Sequence, residues 1–282
     1  MGDAVEFQTP LPLTEGRLKV IVTGAAGRIG RGFAEFAAGR FELLLLDRPG
    51  VDLSGLGAHG RTEHCDLADL PRLTELCRGA DCVLHLAADS NTAAAWESLL
   101  AANIVGTYHA FAASKSARCP RVVFASSVHA VSGYAPGRQI SADAPVNPGN
   151  LYGVSKCFGE ALGRYMAERD GLTVMAVRIG AFQKPDAARE PDSDWMIGTF
   201  VADQDLYRIL ERAIRIKGIR FDIFHAVSNN WFKRLDITAT RELLGYEPVY
   251  DFMQLSPAFK ELFTDLPHGH DPSGAGNGRA SG

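Results

Sequence analysis

The sequence predicts an α/β fold, a doubly wound parallel sheet with a small C-terminal lobe, and two observations carry that reading. Short runs of apolar, β-prone residues alternate with longer stretches of helical periodicity, the pattern of a parallel sheet covered by helices on both faces. The first such run, Val20-Ile21-Val22, leads into a glycine-spaced turn and then a helix, Thr23-Gly24-Ala25-Ala26-Gly27-Arg28-Ile29-Gly30.

In chain order, strands are predicted at Leu18–Val22, Glu42–Leu46, Arg61–Cys65, Cys82–Leu86, Arg121–Ala125 and Thr173–Arg178. Each is short and bounded by turn residues, and all but the polar Arg61–Cys65, whose place the alternation suggests, are apolar. Helices are predicted at Gly30–Gly39, Asp69–Cys77, Ala93–Ser116 and Tyr152–Asp170. Beyond Arg178 the rhythm breaks into the polar stretch Gln183–Asp194, followed by a helix over Ala202–Lys217 and a strand at Arg220–His225. The expected organisation is a flexible segment 1–16, a dinucleotide-binding domain 17–181, a small substrate lobe 182–266 and a disordered tail 267–282. Both ends are rich in Gly, Pro and small polar residues, with too little apolar content to pack. His268 and His270 are read as part of a solvated end.

Composition narrows the function classes. A net charge of −4, with 46% hydrophobic and 22% charged residues, offers no overall attraction to nucleic acid or anionic lipid. No apolar run approaches the ~20 residues that cross a bilayer, and the start lacks a basic segment followed by an apolar one, so a cytoplasmic protein is expected. The five cysteines form no CxxC pair, which argues for reduced thiols and no metal site.

In the glycine turn, Gly24 permits the tight bend, Gly27 lets the backbone approach a pyrophosphate, and Gly30 lets helix and strand pack closely. Asp47 ends the next strand, roughly 20 residues on, where the hydroxyls of an adenine ribose belong. Its charge would repel a 2′-phosphate and favours NAD, while Arg48 beside it would tolerate NADP. Asp66 reads equally as an adenine contact or as a cap for the following helix.

Tyr152 and Lys156 stand at i and i+4, on one face of a helix. An ammonium beside a phenol favours phenolate, so Lys156 is expected to lower the Tyr152 pKa and make it a proton acceptor. Ser126-Ser127, ending an apolar strand, supplies a hydroxyl partner.

Together the glycine turn, His85-Leu86-Ala87-Ala88, Asn103, Ser126-Ser127 and Tyr152-Gly153-Val154-Ser155-Lys156 resemble the extended short-chain dehydrogenases/reductases of the NAD-dependent epimerase/dehydratase family. The resemblance implies a Rossmann-like fold. It implies that Ser127 hydrogen-bonds the reacting oxygen, Tyr152 exchanges its proton, Lys156 holds the nicotinamide ribose and Asn103 supports a relay water. Cofactor contacts are implied at Gly24, Ala26, Gly27, Arg28, Ile29, Gly30, Asp47, Arg48, Asp66, Leu67, Leu86, Ala87, Ala88 and Ile179 as well. A homodimer through the helices 93–116 and 152–170 is also implied.

Within that family, Phe124 to His129, Leu151 to Glu160, Val177 to Gly180 and Ala226 to Asn230 are similar to uronate dehydrogenases and related sugar dehydrogenases. That similarity implies oxidation of a cyclic sugar at C1 to a lactone, with Ser90, Ser127, His129 and Tyr152 touching the sugar. Packing alone would also explain His129, and a solvated loop would explain Ser90. Val128, Ala181 and Trp195 stand where those enzymes carry an Asn, a Ser and a carboxylate-binding Arg. Arg189 is a candidate replacement, and Trp195 either stacks on the sugar or fills the core. Two other readings share the motifs: a sugar-nucleotide epimerase or dehydratase, for which the segment after Phe182 is short, and a non-catalytic NAD(H) sensor.

Overall fold

The computed structural model describes residues 10–259. Seven parallel strands form one sheet in the order β3-β2-β1-β4-β5-β6-β9. They are β1 (Lys19–Thr23), β2 (Glu42–Asp47), β3 (Arg61–His64), β4 (Cys82–His85), β5 (Arg121–Ser127), β6 (Thr173–Ile179) and β9 (Phe221–Ala226). The chain steps outward from β1 to β3, then returns to place β4 on the other side of β1. Strand order reverses between β1 and β4, so a crevice opens above their carboxyl ends, the usual ligand position in an open α/β sheet.

Period-two alternation divides the core. Val20, Val22, Leu45, Val123 and Val177 face a layer containing α1 (Arg28–Ala37) and α6 (Asp203–Arg215). Ile21, Val83, Val122, Phe124 and Val174 face α2 (Leu70–Leu76), α4 (Gly106–Ser116) and α5 (Leu151–Asp170). Both faces are covered, which is why the strands read as nearly continuous apolar runs.

Local chemistry sets the helix ends. Asn150 caps α5 by accepting from the Gly153 N–H at 2.8 Å, and Gly171, at φ +74°, ends it. Asp69 caps α2 through the Arg72 N–H at 3.0 Å.

The sequence predicts one regular helix over 93–116; the structure instead has a short α3 (Trp96–Ser98), a π-helical stretch Leu99–Val105 and then α4. The widened turns carry the buried Asn103, whose bonds to neighbouring segments compensate the poorer helical geometry.

The lobe boundary predicted after residue 181 needs correction. β9 joins the main sheet beside β6, and α6 packs against the same core as α1, so the chain returns twice to the first layer set. What stands apart is smaller: the paired strands β7 (Ala181–Gln183) and β8 (Phe200–Ala202), with Met196, Phe200, Phe252 and Met253 in a cluster that includes α8 (Phe252–Leu255). A further helix, α7 (Thr238–Leu244), packs on α6 and β9.

The expected flexible start needs a similar correction. Residues 10–16 are tied down: the Leu11 N–H donates to Leu243 O, the Thr14 N–H donates to Arg215 O, and the Arg215 guanidinium donates to the carbonyls of Thr14 and Gly16. Residues 1–9 and the segment from 260 on, including His268 and His270, lie outside the described residues. Among the described residues no helix is long and apolar enough to cross a membrane.

Candidate active site

A cleft of about 1310 Å³ lies over the carboxyl ends of the strands. At its floor the glycine turn is shaped by close contacts. Gly24 has φ +69°, and a Cβ there would sit 2.7 Å from the Ala87 backbone; a Cβ at Gly30 would sit 2.4 Å from Gly24 O. Gly27 opens α1 with no side-chain cap, leaving the first helical N–H groups available to an anion. These contacts fit a pyrophosphate cradle and admit no side chain at Gly24 or Gly30.

The Asp47 carboxylate is fixed by the Ala26 N–H and by the Arg48 N–H, each at 2.9 Å. Asp66 accepts from the Ala68 N–H at 2.9 Å and lines the cleft, while the cap of α2 is Asp69, so the capping alternative for Asp66 is not realised. Arg28, Ile29, Leu67, Leu86, Ala87, Ala88 and Ile179 line the same space. The Arg28 guanidinium leans over the Phe182 ring and donates to Phe182 O.

Ser127, at the end of β5, and Tyr152, in the first turn of α5, meet at the centre of the cleft. Tyr152 is 8% exposed. Burial pushes its phenol above the ordinary value; the hydrogen bond from Ser127 acts against that, and Asp89 adds a smaller upward push. The expected lowering by Lys156 is therefore not realised. The Lys156 ammonium instead donates to Ala125 O at 2.9 Å, lying 5.1 Å from the Phe124 ring centre and 5.5 Å from that of Tyr152. Lys156 is itself buried with no carboxylate partner, and burial pushes it down to about 8.

Asn103 is buried beside the cleft rather than among its lining residues. Its amide N–H groups donate to Asp89 O and Ser155 Oγ, each at 2.9 Å, and its carbonyl accepts from the Asp89 N–H at 2.8 Å. With these bonds it stands behind the cleft wall and ties the loop bearing Asp89 and Ser90 to the catalytic helix.

On the substrate side, the His129 ring meets Tyr152 edge-on at 5.7 Å. Because Asn150 Oδ1 is used by the α5 cap, its amide N–H must be the group facing His129 Nδ1 at 3.0 Å. Nδ1 is then the acceptor and Nε2 carries the proton. Burial lowers the His129 pKa and favours that neutral form.

Ser90, Val128, Ala181 and Trp195 all line the cleft. Trp195 is 67% exposed, which removes the core-filling alternative. Arg189 pairs with Asp186 at 2.9 Å and is not part of the cleft lining. Thr23, Ser132, Thr199 and Arg234 also line the cleft and were not legible from the sequence. Thr23 alone adjoins a motif, and its hydroxyl bonds His85 Nδ1 at 2.8 Å. Among the described residues no group of three or more His, Cys, Asp or Glu side chains is placed to hold a metal. All five cysteines are unpaired, and burial raises their thiol pKa values, to about 12 at Cys77 and about 11 at Cys119 and Cys157.

A strand–glycine turn–helix cradle and a Ser, Tyr, Lys set in one cleft invite comparison with known proteins. The model of the NAD-dependent epimerase/dehydratase family matches residues 20–204. The chain belongs to that family. Among members of the epimerase/dehydratase family and similar proteins, uronate dehydrogenase of Pseudomonas putida is 32% identical over 213 residues, 75% of this chain and 77% of that one. L-Arabinose 1-dehydrogenase (NAD(P)+) of Haloferax volcanii is 33% identical over 255 residues, 82% and 96%. Of solved structures, a mutant uronate dehydrogenase from Agrobacterium tumefaciens complexed with NAD matches with a TM-score of 0.74 and 30% identity, covering 92% of this chain and 93% of that one.

Proposed function

We propose that this protein is an NAD-dependent sugar dehydrogenase that oxidises C1 of a cyclic aldose to a lactone. The observation that carries the reading is the meeting of Ser127 and Tyr152, above Lys156, in the cleft floored by the glycine turn. The dehydrogenase names of the relatives at 30% identity or more support it.

The turn Gly24 to Gly30 would hold the pyrophosphate of NAD at the α1 N-terminus, with Ala26, Arg28 and Ile29 around it, and Asp47 would hold the adenine ribose. Of the residues that line the cleft, Arg48, Asp66 and Leu67 would border the adenine, and Leu86, Ala87, Ala88, Lys156 and Ile179 would border the nicotinamide half. Bound NAD supplies the hydride acceptor. Tyr152, as phenolate, takes the proton of the anomeric hydroxyl, the O–H electron pair becomes the C1=O bond, and the C1 hydride leaves with its electron pair. Aldose and NAD+ thereby give lactone, NADH and a proton. Ser127 donates to the reacting oxygen and is the group whose hydrogen bond opposes the upward push of burial on the Tyr152 phenol, while the Lys156 ammonium would hold the nicotinamide ribose. His129 donates from Nε2 to a sugar oxygen, Ser90 offers a hydroxyl, and Trp195 stacks on an apolar sugar face. Val128 and Ala181 shape the wall, and Asn103 acts as a positioning residue. A homodimer in the cytoplasm completes the proposal.

The test is NADH formation across uronates, neutral aldoses and phosphorylated or sulfonated sugars, with NAD and NADP compared. Tyr152→Phe should lower turnover by at least about a hundredfold while leaving cofactor binding intact. No free NADH from any sugar would refute the dehydrogenase and favour an epimerase cycle; an unaffected Phe variant would remove Tyr152 from the reaction.

A further inference from the structure

The cleft's two halves differ in charge. Asp47, Asp66, Arg28 and Arg48 line the part around the glycine turn and the ends of β2 and β3, and Asp89, which acts on Tyr152, lines the cleft beside Ser90. Along the wall formed by residues 126–132 and 179–234, the charged lining residue among those described is Arg234. It follows β9, on a loop remote in sequence from every catalytic residue.

Three segments hold Arg234 in place, two through its backbone and one through its guanidinium. Its backbone N–H donates to Gly198 O at 2.8 Å, and its carbonyl accepts from the Ile140 N–H at 2.8 Å. Its guanidinium donates to Tyr134 O at 2.7 Å and Ala135 O at 3.1 Å. Guanidinium has five N–H donors, so these two bonds brace the group without exhausting it. The bond to Gly198 also joins Arg234 to the loop bearing Trp195, the position at which the resemblance led one to expect a cation. Arg189, the other candidate, is paired with Asp186. A braced, permanently charged fork at the edge of an otherwise neutral wall is suited to an oxyanion, because little side-chain freedom remains to be lost on binding.

We propose that Arg234 is the specificity-determining residue for the end of the sugar remote from C1, and that the substrate carries an oxyanion there. Carboxylate, phosphate and sulfonate share that chemistry. The proposal rests on the C1 dehydrogenase reading, since Tyr152 fixes which end of the sugar lies at the catalytic centre.

Wild type, Arg234→Lys and Arg234→Ala are to be compared on glucuronate, glucose 6-phosphate, a 6-sulfonated aldose and neutral glucose. Wild type should favour one of the anionic sugars over glucose by at least about tenfold in kcat/KM, the arm that wins identifying the oxyanion. Arg234→Ala should lose about tenfold or more on that sugar, chiefly through KM, and stay within about threefold on glucose, with Lys between. Equal losses on glucose and the anionic sugar would reduce Arg234 to a brace for residues 134–140 and overturn the proposal, as would a wild-type preference for glucose. Binding of the three anionic sugars to the NAD-loaded protein, followed by tryptophan fluorescence, separates the two readings. If no sugar is oxidised but an anionic one binds and Arg234→Ala weakens it, the dehydrogenase reading fails and the role of Arg234 stands. Unchanged binding, or no binding of any anionic sugar, overturns that role.

Discussion

Lys156 keeps its ammonium against the Ala125 carbonyl and two aromatic faces, without a carboxylate to compensate the loss of water. Its folded pKa of about 8 lies below the 10.5 of an unhindered lysine, so the charged form is held at a cost to stability below pH 8. As pH rises from 8 towards 10.5 the folded chain releases the proton first and the cost disappears. Lys156→Met should therefore raise Tm at pH 7, on the order of 5 °C, with the gain shrinking as pH approaches 10.5. Differential scanning calorimetry of both forms across that range checks the sign, and the variant should lose turnover while it gains stability. The residue types here were legible because Tyr152 and Lys156 stand at helical spacing behind a recognisable strand end. The direction of the Tyr152 shift was not. It is set by burial among groups from β5, the turn after it and α5, which no spacing in one segment reveals. Arg234 was illegible for the same reason, since its partners are contributed by residues 134, 135, 140 and 198.

The helix α5 delivers both Tyr152 and Lys156, and a buried ion pair holds it on the sheet. Glu160 on α5 takes the Arg178 guanidinium of β6 through both oxygens, at 2.8 and 2.9 Å, and accepts from the Ser126 hydroxyl at 2.6 Å. Arg178 is 1% exposed and Glu160 4%. Removing one member leaves the other charge buried, so Glu160→Ala or Arg178→Ala should cost about 3–5 kcal/mol in denaturant unfolding. The double change Glu160→Leu with Arg178→Met should recover most of it, because desolvation of the pair offsets much of its attraction. The main-sheet strands apart from the polar β3, together with α1, α5 and α6, were legible because they are long or apolar enough to show a period, whereas β3 and the seven-residue α2 followed from the alternation of strands and helices. β7 and β8, of three residues each, and α7 and α8, of seven and four, are too short to show one. The π-helical turns were not legible because the sequence period over 93–116 stays near helical across the wider turns that contain Asn103.

Across the whole molecule, α4 and α5 pack side by side and present exposed apolar side chains outward. Leu151, Val154 and Tyr165 are exposed on α5, and Leu100 and Tyr108 on the neighbouring helical segment, with Tyr165 56% and Tyr108 48% exposed. Leu151, Val154 and Tyr165, at i, i+3 and i+14, share one face of α5, and this exposed stripe supports the proposed homodimer. Tyr108→Glu combined with Tyr165→Glu should give a monomer by light scattering, while a dimer mass in the double variant would place the interface elsewhere. The domain boundary was misread at this scale because the break after Arg178 marks a change of rhythm, and the chain then comes back to the sheet as β9. That return has a consequence for synthesis. A nascent chain that has emerged through Ile179 already contains the nucleotide cradle and the Ser127, Tyr152 and Lys156 set, but β6 is still an open sheet edge and Arg234 does not yet exist. The growing polypeptide thus acquires the parts for grasping a dinucleotide before those for choosing a sugar, and until β9 docks its bare edge is the place where a chaperone or a misplaced strand would bind.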